Sequence, residues 1–164
     1  MKFLRYVALL ALAVWAGGLV ALGGIGAPTL FALLEAQDPM AGRETAGWLF
    51  GAIFARFQYV AIGAGVVLLG SLGARAALGP RPRRLAVRIW AVSAMLAMSA
   101  VTTFVIAPRI DAIRKDVHAP IASLPERDPR RVTFAELHGA SNILMLITLL
   151  AAGGLVWAET TDPL

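Results

Sequence analysis

Four stretches without a charged residue divide this chain, and each is long enough to cross a bilayer. They cover 6–34, 57–74, 89–108 and 139–158, which is 29, 18, 20 and 20 residues. Hydrocarbon about 30 Å thick admits a polypeptide only when every backbone polar group is satisfied internally, so uncharged runs of about 18 residues or more mark spanning helices. The expected fold is all-α: one integral membrane four-helix bundle over 1–164, with spans at about 5–26, 57–77, 87–107 and 134–157. Composition agrees, since 59% of the residues are hydrophobic and 15% charged. A soluble domain carries about a quarter of its residues as charges.

The absence of cysteine removes disulfides, thiolate metal sites and cysteine nucleophiles together. The net charge of +5 does not point to nucleic acid, because the basic residues lie between apolar runs without interleaved aromatics. The lipid bilayer is the expected partner, with anionic headgroups at Arg81, Arg83 and Arg84 in the Gly79-Pro80-Arg81-Pro82-Arg83-Arg84 turn.

The first run is longer than a membrane needs. At about 1.5 Å per residue it reaches about 43 Å, so it must tilt, kink or break. Pro28 is the natural place, and Pro28 to Leu34 is expected as a bent extension at the interface. Lys2, Arg5 and Ala11-Leu12-Ala13 also fit a signal peptide, but the apolar run continues well past that cleavage site, which favours a retained span. In the third connection Ile110, Ile113 and Val117 recur at helical spacing beside Asp111, Arg114, Lys115 and Asp116, predicting a short amphipathic helix. Thr133 and Glu136 have the spacing of a capping box, which places the start of the fourth helix there.

With four spans both termini share one side. The terminal side carries seven Lys and Arg residues and the opposite side eight, so the count alone does not orient the chain. The acid-free arginine cluster between spans two and three favours termini in the cytoplasm of a cell membrane.

Helices associate in lipid through close backbone approach, and small residues recur four apart at Ala13, Gly17 and Ala21 and at Ala61 and Gly65. Packing within the bundle is their expected use, with formation of a homo-oligomer as the alternative. Trp15, in the middle of the first span, reads as a packing residue. His138 is the ionisable residue of greatest interest, and with Ser141, Asn142 and Met145 it forms a partly polar strip expected to face the bundle interior. A structural role for His138, hydrogen-bonded to another helix or to headgroup water, outweighs the reading as a proton, metal or haem ligand. His118 reads as a solvated loop residue. Glu35 and Glu136 fall at helix ends, where water or a cap holds their charge. Neither a nucleophile elbow nor a phosphate-cradling loop is present, and the glycines at 23, 24 and 26 lie inside an apolar run.

Several short motifs occur in a set order: Trp15-Ala16-Gly17-Gly18, Ala27-Pro28-Thr29-Leu30-Phe31, Ala46-Gly47 with Phe50 and Phe54, and Phe134 to Leu137-His138 with Ser141. In these the chain resembles the four-span bacterial membrane family catalogued as domain of unknown function 4149, similar to transmembrane protein 205. The resemblance implies a four-helix membrane bundle with His138 and Ser141 as its marked polar feature. It implies no reaction. The platinum-drug tolerance linked with eukaryotic relatives extends to solute or metal handling only by analogy. Copper-resistance and membrane haem proteins share a Trp-x-Gly motif with membrane histidines, but the first span here has no histidine.

The expected function is that of a non-enzymatic, cofactor-free accessory protein in small-solute or metal tolerance. A haem- or copper-binding redox or metal-handling protein using His138 is the alternative. An oligomeric channel or transporter lined by Ser93, Thr102, Thr103, His138, Ser141 and Asn142 is the third reading.

Overall fold

The computed structural model describes residues 2–79, 82–117 and 119–161. Arg81 and His118 lie outside the described residues. Among the described residues four helices are long and apolar enough to cross a membrane: α1 (Lys2–Glu35), α2 (Ala41–Leu78), α3 (Leu85–Asp116) and α4 (Pro129–Thr161). Each packs on its chain neighbour and α4 closes the ring against α1, giving an up-down-up-down bundle. No strand occurs among the described residues.

The core is built from one face of each helix. Ala8, Leu12 and Trp15 of α1 meet Ala61, Leu68 and Leu72 of α2, Val92 and Met95 of α3 and Ala152 of α4, all nearly or fully buried. Large apolar side chains such as Val66, Trp90, Phe104 and Leu150 point outward. Outward apolar residues are what a bundle solvated by acyl chains requires, since lipid is as apolar as the core.

Pro28 does not break α1. The turn over Ala21–Gly26 widens into a π-helix, with the Ala27 N–H bonded to the Leu22 carbonyl, and the helix runs on through Pro28 to Glu35. A proline ring collides with the carbonyl four residues earlier, and a wider turn relieves that collision without ending the helix. The same device recurs in α3. Thr102–Ile106 form a π-helix, the Ala107 N–H bonds to Thr102, and Pro108 follows. The amphipathic helix expected in the third connection is therefore the last part of α3, Ala107–Asp116, continuous with the span.

The parallel extends beyond the Ala-Pro pairs. Arg43, Thr45, Leu49, Gly51 and Ala52 near the start of α2 match Arg131, Thr133, Leu137, Gly139 and Ala140 near the start of α4, at identical spacing. The hairpins α1–α2 and α3–α4 thus repeat one plan, each with a π turn ahead of Ala-Pro and a descending helix that opens on the same pattern.

The fourth helix starts at Pro129, earlier than the capping-box reading placed it. Asp128 supplies the cap, its Oδ1 accepting the Arg130 N–H at 2.9 Å, and proline occupies the first helical position, where its missing N–H costs nothing. Thr133 and Glu136 are exposed residues inside the helix. Asp38 caps α2 in the same manner, its carboxylate accepting the N–H groups of Met40 and Ala41 at 2.9 Å. Those two donors, Ala41 first, hold the Asp38 carboxyl below its ordinary range.

Candidate functional site

Glu159, near the end of α4, is 1% exposed and serves as a hub for the terminal face. Its Oε2 accepts Nη1 of Arg75 from α2 at 2.7 Å, and its Oε1 accepts Nη1 of Arg88 from α3 at 2.6 Å. Arg88 also donates to the Ala158 carbonyl at 3.0 Å, and Arg5 of α1 donates to the carbonyl of Glu159 itself. All four helices converge on one residue, including the diagonal pair α2 and α4. Arg75 and Arg88 are 7% and 4% exposed. They are interior residues, not the surface charges that a count of Lys and Arg by side takes them for. Burying guanidinium groups at a membrane boundary is tolerable only with charged, hydrogen-bonded partners, which the carboxylate and the last carbonyls of α4 provide.

Glu159 falls one residue outside the fourth charge-free run, so charge exclusion alone gives it no role. The available signal was a lone acid at that run's edge, level with arginines bordering the second and third runs. From Arg5, Arg75, Arg88 and Glu159, about 20 residues of helix cross about 30 Å and reach Ile25, Ala55, Pro108 and Gly139. That count puts the opposite membrane boundary near the two prolines and His138, with the ends of α1 and α3 and the starts of α2 and α4 projecting beyond it.

Midway along the bundle, Gln58 is 5% exposed and its Oε1 has no hydrogen-bond partner among the described residues. It lines a cavity of about 10 Å³ with Met98, Ser99, Thr102, Met145 and Thr148. That volume is about one water, and a polar wall of this kind suits one. The hydroxyls of Thr102, Thr103 and Thr148 are turned back onto the carbonyls of Met98, Ser99 and Leu144, at 3.0, 2.8 and 2.8 Å. Buried Trp15 packs at the centre of the core, its indole N–H also without a partner among the described residues.

At the far face His138 and Asn142 are exposed and Ser141 half-buried, so of the strip expected to face the bundle interior only Met145 reaches it, at the cavity. The reason lies in helix phase, since the buried residues of α4 are Thr148, Ala152, Leu155 and Glu159, a stripe that passes His138 by. His138 stacks on Phe134 with ring centroids 6.2 Å apart. The guanidinium of Arg114 lies 5.5 Å from the Phe134 centroid on the way to the Gly47 carbonyl at 3.4 Å and Glu44 at 3.8 Å. Among the described residues no three His, Cys, Asp or Glu side chains gather as a metal ion requires.

The small-residue faces divide. Ala61 and Gly65 are buried, and a Cβ on Gly65 would meet Trp15 and Leu96 at under 3 Å. Ala13, Gly17 and Ala21 are exposed, and nothing lies within 4 Å of a Cβ built on Gly17. Their expected role in packing within the bundle does not hold, because α1 presents Ala8, Leu12, Trp15 and Leu19 to its neighbours instead.

Four membrane-length helices, fastened at one face by a buried carboxylate, define a multi-pass membrane protein. The model of one family, described as Domain of unknown function (DUF4149), matches residues 10–119, and the chain belongs to that family. No curated protein and no solved structure matches it. The matched region ends ahead of α4, so His138, Ser141 and Glu159 lie outside it.

Proposed function

We propose that this chain is a non-enzymatic accessory protein of the cell membrane, with cytoplasmic termini, that serves small-solute or metal tolerance without conducting solute through its own bundle. One observation carries the reading. The bundle is fastened across all four helices at the terminal face, and the polar cavity at its middle holds about 10 Å³, room for a single water and no solute. Conduction through one copy would need a continuous polar path. The tolerance role comes from the resemblance to transmembrane protein 205, and the orientation from the acid-free arginine turn ahead of α3.

The test pairs liposomes with cells. Reconstituted protein is expected to pass no protons, potassium or chloride above empty vesicles. Cells lacking the chain are expected to lose tolerance to a panel of metal ions and small organic solutes, regained with wild type or His138→Ala and not with Glu159→Ala. Flux abolished by Gln58→Leu would overturn the reading in favour of a channel. Haem or stoichiometric copper in the purified protein, lost on His138→Ala, would overturn it in favour of a redox or metal-handling protein.

A further inference from the structure

Between α3 and α4 on the terminal side lies an open groove of about 550 Å³. Arg83, Arg84 and Arg88 line one end, and Val87, Ala91, Ala151 and Gly154 line the slot that runs from it toward the bilayer middle, with Trp157 alongside. The volume is that of a ligand site. The slot exists because small side chains face each other there, and a Cβ built on Gly154 meets nothing within 4 Å.

The polar end is built for an anion. Arg83 and Arg84 are exposed and make no hydrogen bond or ion pair among the described residues. Arg84 occupies the left-handed region at φ 54°, a conformation unfavourable to a side-chain-bearing residue, and it stands at the cap of α3 without a side-chain cap bond. The first N–H groups of α3 therefore open toward the same end as the two arginines, and a helix N-terminus favours negative charge. Among the described residues, the nearest competing negative groups are occupied: Glu159 by Arg75 and Arg88, the Ala158 carbonyl by Arg88, and the Glu159 carbonyl by Arg5.

We propose that this groove is a binding site for one anionic phospholipid, its phosphate held by Arg83, Arg84 and the start of α3, and one acyl chain laid along Ala91, Ala151 and Gly154. The occupant is amphipathic because the site is: cationic where it meets the headgroup level and apolar along its length. Bulk headgroup attraction would need only the arginines. The slot adds retention of one molecule.

Native mass spectrometry of detergent-purified protein with dioleoyl phosphatidylglycerol or dioleoyl phosphatidylcholine tests it. Wild type is expected to keep one phosphatidylglycerol and to lose phosphatidylcholine. The double variant Arg83→Ala/Arg84→Ala should hold phosphatidylglycerol about tenfold or more less tightly. Gly154→Leu and, separately, Ala151→Leu should fill the slot and abolish retention, with helical content and melting unchanged as the control for folding. A wild-type measurement covers the case of misfolded variants: phosphatidylglycerol brominated on its acyl chains should quench Trp157 more than brominated phosphatidylcholine, a difference lost in Trp157→Phe. Equal retention of both lipids, retention unaffected by the filled slot, displacement by inorganic phosphate, or equal quenching would each overturn the proposal.

Discussion

The two faces of the bundle use the same side-chain chemistry to opposite effect. At the terminal face two arginines share one carboxylate at 2.6 and 2.7 Å, with all three side chains at most 9% exposed. At the far face Arg114 approaches Glu44 at 3.8 Å and Arg130 approaches Asp116 at 3.4 Å, with side-chain exposures from 17% to 69%. Burial separates them. A charge that water can reach gives up little when its partner is removed, whereas a buried one is left stranded. The terminal face is thus a fastening, and the far face a set of adjustable surface contacts.

The sharpest way to break that contrast is to remove the hub. Glu159→Ala should destabilise the protein by about 3–5 kcal/mol by stranding buried guanidinium groups, measured as a fall in the thermal or denaturant midpoint in detergent; Glu159→Gln should lose most of the same. A change under a few tenths of that would show the centre to be wet. Next in size, Gly65→Ile forces a side chain into Trp15 and Leu96 and should cost about 1–3 kcal/mol or more, while Gly17→Ile, on the outer face, should fall within about 0.5 kcal/mol. Equal effects would mean that the face of α1 is wrongly placed. On the far side Arg114→Ala should cost about 0.5–1 kcal/mol, the scale of a half-buried cation–π contact with Phe134 whose outer edge water still reaches.

The smallest effect is a pH response at the start of α4. The hydrogen bond from the Arg130 side chain, followed by that from the Arg130 N–H, holds the Asp128 carboxyl below its ordinary value of 3.8. Its folded-state value being depressed, the cap's contribution is fully present above that ordinary value and is lost only as pH falls through the lower, folded-state one. A carbon NMR titration should show the Asp128 carboxyl protonating below a free aspartate, and Arg130→Ala should move it back up. An unshifted midpoint in wild type would remove the cap from the account.

The existence of four spans was legible because charge exclusion from hydrocarbon is absolute enough to be read as gaps between Arg, Lys, Asp and Glu. Which face of each span turns inward was not. In water, a polar outer face gives the phase away, but here Ala13, Gly17 and Ala21 are exposed beside lipid and Ala8, Leu12 and Trp15 are buried, with no difference in polarity to tell them apart. The continuation of α1 and α3 through Pro28 and Pro108 was hidden too, because a π turn leaves no residue signature beyond the proline that it accommodates. Gln58 was in plain view inside the second run, but only packing shows it buried rather than facing lipid. Glu159 needed its arginine partners to be recognised as interior, which is information held in three other helices.

That dependence carries a rule for assembly. Arg75 and Arg88 are made before the one carboxylate that pairs with both, so during synthesis they must wait at the headgroup level, hydrated, while the first three helices stand in the membrane. Docking of α4 then withdraws them from water in one step, and the ring cannot shut on its terminal side by any earlier route.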